Sequence, residues 1–316
     1  MQQQIQLKFP LQAWVVVLAA SLFFFYEFVQ MTMFNSISAD LMQSFHISGK
    51  EFGFLSAAYF YGIVSCLFPA GLLLDRFSTR KLVLGAFGVC IISTIFMALA
   101  MHFYMAFIAR FIIGASTSLC FVSAIRLASR WFSPTRLAFV VGVIVTMAML
   151  GGFVAQTPFT LLVDYLADWR YAVLVNAGLG VLFWLLIYFN VKDFPASYQQ
   201  THQANLKKLE SMGFWHTIWC AIMNTQNWLA GLFTSFMNLS VFLLASSFGS
   251  LYLMQINHFS KAQASWVSSM IFLGTIIGSP LLGALSDKWC LRRMPMIITA
   301  VISLLLVLII IYVPHL

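Results

Sequence analysis

The sequence predicts an all-α integral membrane protein of about nine transmembrane helices, and three observations carry that expectation. First, 61% of the 316 residues are hydrophobic and only 8% are charged, with a mean hydropathy of +0.92. A chain of this length would otherwise read as two soluble domains, and that composition excludes them. Second, the apolar residues gather into runs long enough to cross a bilayer as helix, which takes about 20 residues. Third, the cations alternate from one connection to the next, so the net charge of +8 reports membrane topology and not nucleic-acid binding.

Runs holding at most one charge, or two where Arg126 stands at the very end of the fourth, fall at 13–34, 53–74, 82–101, 105–127, 138–162, 171–190, 229–254, 264–285 and 295–314. Each is continuously apolar, without the period-two alternation of a barrel strand, so each is expected to be a helix. The first follows a single cation, Lys8, and has no small-residue cleavage site, so it reads as a retained span and not a signal peptide. The fifth carries Gly151-Gly152 and the eighth Gly274-x-x-x-Gly278, small residues that permit close helix packing. Between the sixth and seventh lies the longest polar segment, 191–213, which reads as a linker. The aromatic stretch Phe214 to Met223 after it reads as an interfacial amphipathic helix. The expected organisation is a six-helix half over 1–190, a linker and interfacial segment over 191–228, and a partial second half over 229–316.

Before span 1 and after spans 2, 4, 6 and 8 stand Lys8; Arg76, Arg80 and Lys81; Arg126, Arg130 and Arg136; Lys192, Lys207 and Lys208; and Lys288, Arg292 and Arg293. The opposite connections hold only Lys50, Arg170 and Lys261. The excess of cations on one side predicts a cytoplasmic N-terminus, and nine spans then leave the C-terminus outside. Cys66, Cys90, Cys120, Cys220 and Cys290 have no metal-ligand spacing, and the six histidines are scattered. With no nucleophile elbow or phosphate loop either, an enzyme is disfavoured, and no metal or cofactor is expected.

Two segments repeat. Gly71-Leu-Leu-Leu-Asp75-Arg76-Phe77-Ser78-Thr79-Arg80-Lys81 closes span 2, and Gly283-Ala-Leu-Ser-Asp287-Lys288-Trp289-Cys290-Leu291-Arg292-Arg293 closes span 8. Six spans separate them, which implies parallel six-helix halves. Both resemble the loop motif of the major facilitator superfamily, Gly-x-x-x-Asp-Arg-x-Gly-Arg-Arg/Lys, with Ser78 and Cys290 where that motif has its second glycine. Arg110-Phe-Ile-Ile-Gly114, Arg130-Trp131-Phe132 and Asp168-Trp169-Arg170 add to the resemblance, which covers nearly the whole chain. It implies a secondary transporter working by alternating access, with spans 1, 4, 7 and 10 lining a central cavity. The motif residues Gly71, Asp75, Arg76, Arg80, Gly283, Asp287 and Arg292, with Lys81 and Arg293, are expected to form a conformational latch, while for Arg80, Lys81, Arg292 and Arg293 a purely topological role as cytoplasmic-side cations stays open. Each Asp would face a helix N-terminus or accept hydrogen bonds from basic residues. Tyr26 to Asn35 is also similar to the first helix of the phagosomal amino-acid transporters of intracellular bacteria, which implies uptake of an amino acid or related nutrient.

Only Glu27 in span 1 and Arg110 in span 4 are charged residues well inside a span. A charge there costs about 2.5–3.5 kcal/mol on insertion scales, so both are functional candidates. Their depths differ by about 3 Å at 1.5 Å rise per residue, so they are expected to be able to pair. Three roles stay open: a proton-coupling Glu27 tuned by Arg110, an Arg110 that takes a substrate carboxylate while Glu27 holds its amine, and a structural ion pair. Around them Tyr26, Gln30 and Phe34 continue the span 1 surface, and Gly114, Thr117 and Ser118 share the face of Arg110. Span 7 adds Asn238 with Ser235, Phe242 and Ser246, and span 5 adds Gln156 and Thr157. Thr117, Ser118 and Ser246 read as structural. The polar set suits a small polar solute, with H⁺ as the expected partner. Span 5 lacks the Gly-x-x-x-Gly-Pro run of drug/proton antiporters. The repeat offset is 212 residues (283 − 71). A complete second half would therefore end near residue 402, about 86 residues on, and helices 10 to 12 are expected to be absent. A non-transporting remnant or a solute-sensing membrane receptor is the alternative reading.

Overall fold

Apolar residues over these runs make helix because the backbone of a membrane span must satisfy its own polar groups. The computed structural model describes residues 10–194, 219, 222–240, 253–254, 259–289 and 293–312, and among them all regular structure is helical. The helices are α1 (Pro10–Ser36), α2 (Ser38–Phe45), α3 (Gly49–Arg76), α4 (Thr79–Ala98), α5 (Phe103–Thr117), α6 (Cys120–Trp131), α7 (Leu137–Ala155), α8 (Thr157–Leu166), α9 (Trp169–Asn190), α10 (Thr225–Ser240), α11 (Lys261–Trp289) and α12 (Arg293–Tyr312). The predicted spans 1 to 6 and 8 appear as stretches long and apolar enough to cross a membrane. Span 7 is described as the 16 residues of α10, and most of its remainder lies outside the described residues. Span 9 is α12, 20 residues long.

Helix ends follow local chemistry. Ser48 and Glu51 form a reciprocal capping box at the start of α3. Ser78 caps α4 by accepting the Lys81 N–H, and Asp168 caps α9 by accepting the Arg170 N–H. Two predicted spans prove to be broken. Span 4 loosens at Ser118 and Leu119 between α5 and α6. Span 5 breaks at Gln156, whose φ of −84° and ψ of −106° leave the helical region. The break frees the Ala155 carbonyl, and the Ser36 hydroxyl donates to it at 2.8 Å.

The first six spans pack on one another. α1 runs through the middle against α7, α6 and α9; α3 lies on α5, and α4 lies between α5 and α9. α11 packs along α7, so α7 has α1 on one side and α11 on the other. Backbone contact needs glycine at the crossings: a Cβ on Gly114 would overlap the Tyr59 carbonyl of α3, and one on Gly151 the Phe25 carbonyl of α1. Gly151 and Gly152 thus pack as expected, whereas a Cβ on Gly274 or Gly278 would meet nothing within 4 Å. That Gly-x-x-x-Gly spacing is not used among the described residues, because α11 turns Gly283 and Ser279 to α7 instead.

One end of the bundle carries Arg76, Arg126, Arg130 and Lys288, here called the basic end. At the other end Trp169 Nε1 donates to the Ser44 hydroxyl at 3.0 Å, and Arg170 donates to the Ala100 carbonyl at 2.9 Å. These bonds tie α2 and the end of α4 to the start of α9.

Candidate functional site

Arg110 sits in α5, one turn before Gly114. Because Gly114 admits the α3 backbone at Tyr59, the Tyr59 ring reaches the guanidinium, 4.7 Å from Cζ to the ring centroid. Phe34 of α1 covers the guanidinium from 4.1 Å. Arg110 is 1% exposed, and its Nη1 donates to the main-chain carbonyl of Gln30 at 2.9 Å. Its Nε is buried without a hydrogen-bond partner. A cation held by two aromatic faces and a helix carbonyl is stabilised by the ring quadrupoles and the peptide dipole in place of a counter-charge.

Glu27 does not pair with Arg110: no salt bridge within 4.0 Å joins them. The expected pair fails because α1 presents main-chain carbonyls, not the carboxylate, to the α3 and α5 side. The Glu27 carbonyl receives the Tyr59 hydroxyl at 3.5 Å, and one turn on, the Gln30 carbonyl receives Arg110. The Glu27 carboxylate instead lies beside the Cys120 thiol at the start of α6, just past the break in span 4. Glu27 is only partly buried, in contrast to the sealed Arg110.

Tyr26 and Gln30 are both 0% exposed. The Gln30 amide donates to Thr94 of α4 at 2.7 Å, and the Thr94 hydroxyl passes to the Cys90 carbonyl at 2.8 Å. Tyr26 stands by Phe87 and against Gly180 of α9. Both residues therefore face the interior between α1, α4 and α9. Thr117 and Ser118 bond the carbonyls of Gly114 and Ala115 in their own helix, at 3.1 and 2.8 Å. Asn238 donates to the Thr234 carbonyl one turn back, and Ser235 to that of Gly231. The structure does not bring either of them to Glu27 or Arg110. Gln156 is buried at the break in span 5, and Thr157 is 3.5 Å from Ser269 of α11. Phe242 and Ser246 lie outside the described residues.

At the basic end the two motif copies are engaged differently. Asp287 accepts the Phe139 N–H in the first turn of α7 at 2.8 Å, and a Cβ on Gly283 would lie 2.5 Å from the Ala138 carbonyl oxygen. Asp75 forms an ion pair with Arg126 of α6 at 2.7 Å, and a Cβ on Gly71 would meet nothing within 4 Å. Arg80 donates to the Tyr188 carbonyl at 2.6 Å. Arg76, Lys81 and Arg293 are exposed, and Arg292 lies outside the described residues.

Sequence reasoning missed Tyr59, Cys120 and Arg126. The signals were a tyrosine well inside span 2 and a Ser116-Thr117-Ser118 cluster that loosens span 4 before Cys120. For Arg126, its reading as a topological cation hid its role as a partner of Asp75. Among the described residues no group of three or more His, Cys, Asp or Glu could hold a metal ion.

The family model described as Major Facilitator Superfamily matches residues 19–248 and 228–316. The D-galactonate transporter of Escherichia coli O6:H1 is 26% identical over 176 residues, 56% of this chain and 40% of that protein. A protein of Cupriavidus necator named "Probable sulfoacetate transporter SauU" is 22% identical over 264 residues, 80% of this chain and 60% of its own length. An inward-facing, unoccupied bacterial homologue of the human lysosomal transporter Spinster superimposes with a TM-score of 0.62 at 16% identity, over 88% of this chain and 61% of that one. The chain thus spans between 40% and 61% of the length of these proteins.

Proposed function

The chain belongs to the major facilitator superfamily, and from that membership we propose that it moves a small polar solute across the cytoplasmic membrane by alternating access, coupled to protons through Glu27. The observation that carries the coupling is the state of that carboxylate. It belongs to a half-buried residue within a span, lies beside the Cys120 thiol and has no salt bridge to Arg110, so no paired cation holds it ionised and it can take and release a proton as access alternates. Relatives named for D-galactonate and sulfoacetate carry solutes with an acid group. That supports a solute of this kind, amino acids included, and the phagosomal amino-acid branch is one such assignment. Arg110 acts in this reading by fixing α1 against α3 and α5, with Tyr26 and Gln30 packing α1 against α4 and α9 and Asn238 contributing from span 7. The halves are 1–190 and 229–316, joined by 191–228, and the basic end faces the cytoplasm.

In the same reading, the motif residues latch that end shut. Asp287 on the first turn of α7 is the supporting contact, since a carboxylate at a helix N-terminus meets unsatisfied N–H groups and a favourable dipole.

The test uses purified protein in liposomes loaded with a pH-sensitive dye, challenged with D-galactonate, sulfoacetate and a panel of amino acids first screened by thermal shift. A transported solute should acidify the lumen. Glu27→Gln should abolish the acidification while solute counterflow persists. If Glu27→Gln accumulates solute against a gradient as the wild type does, the coupling role is wrong. Stabilising binding with no uptake in the wild type would make the protein a solute-sensing receptor instead.

A further inference from the structure

Ser78 stands where the resembled loop motif has a glycine, and the structure gives the serine two tasks. Its hydroxyl oxygen accepts the Lys81 N–H at 3.3 Å, which caps α4. The same hydroxyl donates to Oδ2 of Asp193, three residues past the end of α9. The other carboxylate oxygen of Asp193 accepts the Arg80 N–H at 2.8 Å. Both oxygens are thus held at the first turn of a 20-residue helix, where free N–H groups and the helix dipole favour an anion.

The neighbouring residues are fixed as well. Arg130 Nη1 lies 3.9 Å from the Asp193 carboxylate and donates to the Asp193 carbonyl at 3.5 Å, and its guanidinium faces the Phe194 ring at 4.3 Å. Trp131 Nε1 donates to the Lys192 carbonyl at 3.2 Å. The Asp193 side chain is 20% exposed and that of Arg130 11%, so these contacts are screened less than a fully solvated pair.

We propose that the N-terminal turn of α4, with Ser78 and Arg130, is a docking site for the carboxylate of Asp193, and that it clamps the first residues after α9 to the loop of the first motif copy. The chain leaving the six-helix bundle is then held beside Ser78 as far as Asp193 and Phe194, and is not released at Asn190. Glycine at 78 would remove both the cap and the hydroxyl donor. The serine is therefore the determinant of the clamp, and Asp193 is the partner that gives it meaning. This inference stands apart from the transport reading.

Limited trypsin digestion of the purified full chain tests it, following cleavage after the exposed Lys192 and, as an internal control, after the exposed Arg136 by mass spectrometry. A hydrogen bond to a carboxylate is strong enough that its loss should raise the cleavable population about tenfold. Ser78→Ala and Ser78→Gly should therefore speed cleavage after Lys192 about tenfold and leave Arg136 unchanged. Ser78→Thr, which keeps the hydroxyl, should hold the wild-type rate at both sites. A Ser78→Ala rate at Lys192 within twofold of wild type overturns the clamp. So does an equal rise at Arg136, or a Ser78→Thr variant as fast as Ser78→Ala.

Discussion

The two copies of the loop motif share their residues and differ in what those residues touch. Copy two places Gly283 on the backbone of α7 and Asp287 on the Phe139 amide. Copy one leaves Gly71 without a close neighbour and turns Asp75 to Arg126, with the Asp75 side chain 59% exposed. One sequence pattern thus supports two kinds of bond, and their energies are unequal. An amide bonded to a partly buried carboxylate contributes about 1.5–3 kcal/mol, whereas an exposed ion pair contributes about 0–1 kcal/mol. A motif specifies which groups are offered; the neighbouring helix decides which are used.

The contrast can be broken most directly at the glycines. Gly283→Ala forces a methyl against the Ala138 carbonyl and should cost about 1–3 kcal/mol, read as a lowered midpoint of thermal unfolding in detergent. Gly71→Ala should shift the midpoint by less than about 1 kcal/mol, and upward, because alanine is the better helix former. Equal losses from the two substitutions would mean that the copies are packed alike. Next in size is Asp287→Ala, expected to lower stability by about 1–2 kcal/mol, since it strips the first turn of α7 of its acceptor. Asp287→Asn, which keeps an oxygen, should recover part of that loss. An unaltered midpoint for Asp287→Ala would remove the distinction between the copies. Smallest is the Asp75–Arg126 coupling. A double-mutant cycle with Asp75→Ala and Arg126→Ala should return no more than about 1 kcal/mol, shrinking as salt is raised.

Much of the fold was legible in the sequence, because hydropathy and helix length act locally. The first six spans and the eighth stand where the apolar runs place them, with helices overrunning the runs wherever a polar cap is available, as Gly49–Arg76 overruns 53–74 by starting after Ser48. The breaks in spans 4 and 5 were not legible, because a run of apolar residues does not report whether its hydrogen bonds continue. The site was legible only as residue types. Glu27 and Arg110 were singled out by the cost of burying charge, but their depths match without their directions matching. A spacing of three residues leaves helix positions about 60° apart, enough to send Gln30 to Thr94 while the Glu27 carboxylate faces Cys120. Tyr59 was invisible because its place depends on Gly114, 55 residues later in the chain (114 − 59), and only packing brings the two together.

The bond from Arg110 to the Gln30 carbonyl has a consequence for how this protein can change. Its acceptor is main chain, so every residue that keeps α1 helical at position 30 supplies the same oxygen, and Arg110 places no demand on the side chain there. The demand falls on Phe34 and Tyr59, whose rings flank the guanidinium. The arginine is thus indifferent to the identity of the residue it bonds and exacting about two that it merely touches. Variation at position 30 answers to Thr94, while variation at 34, 59 and 110 has to move as a set.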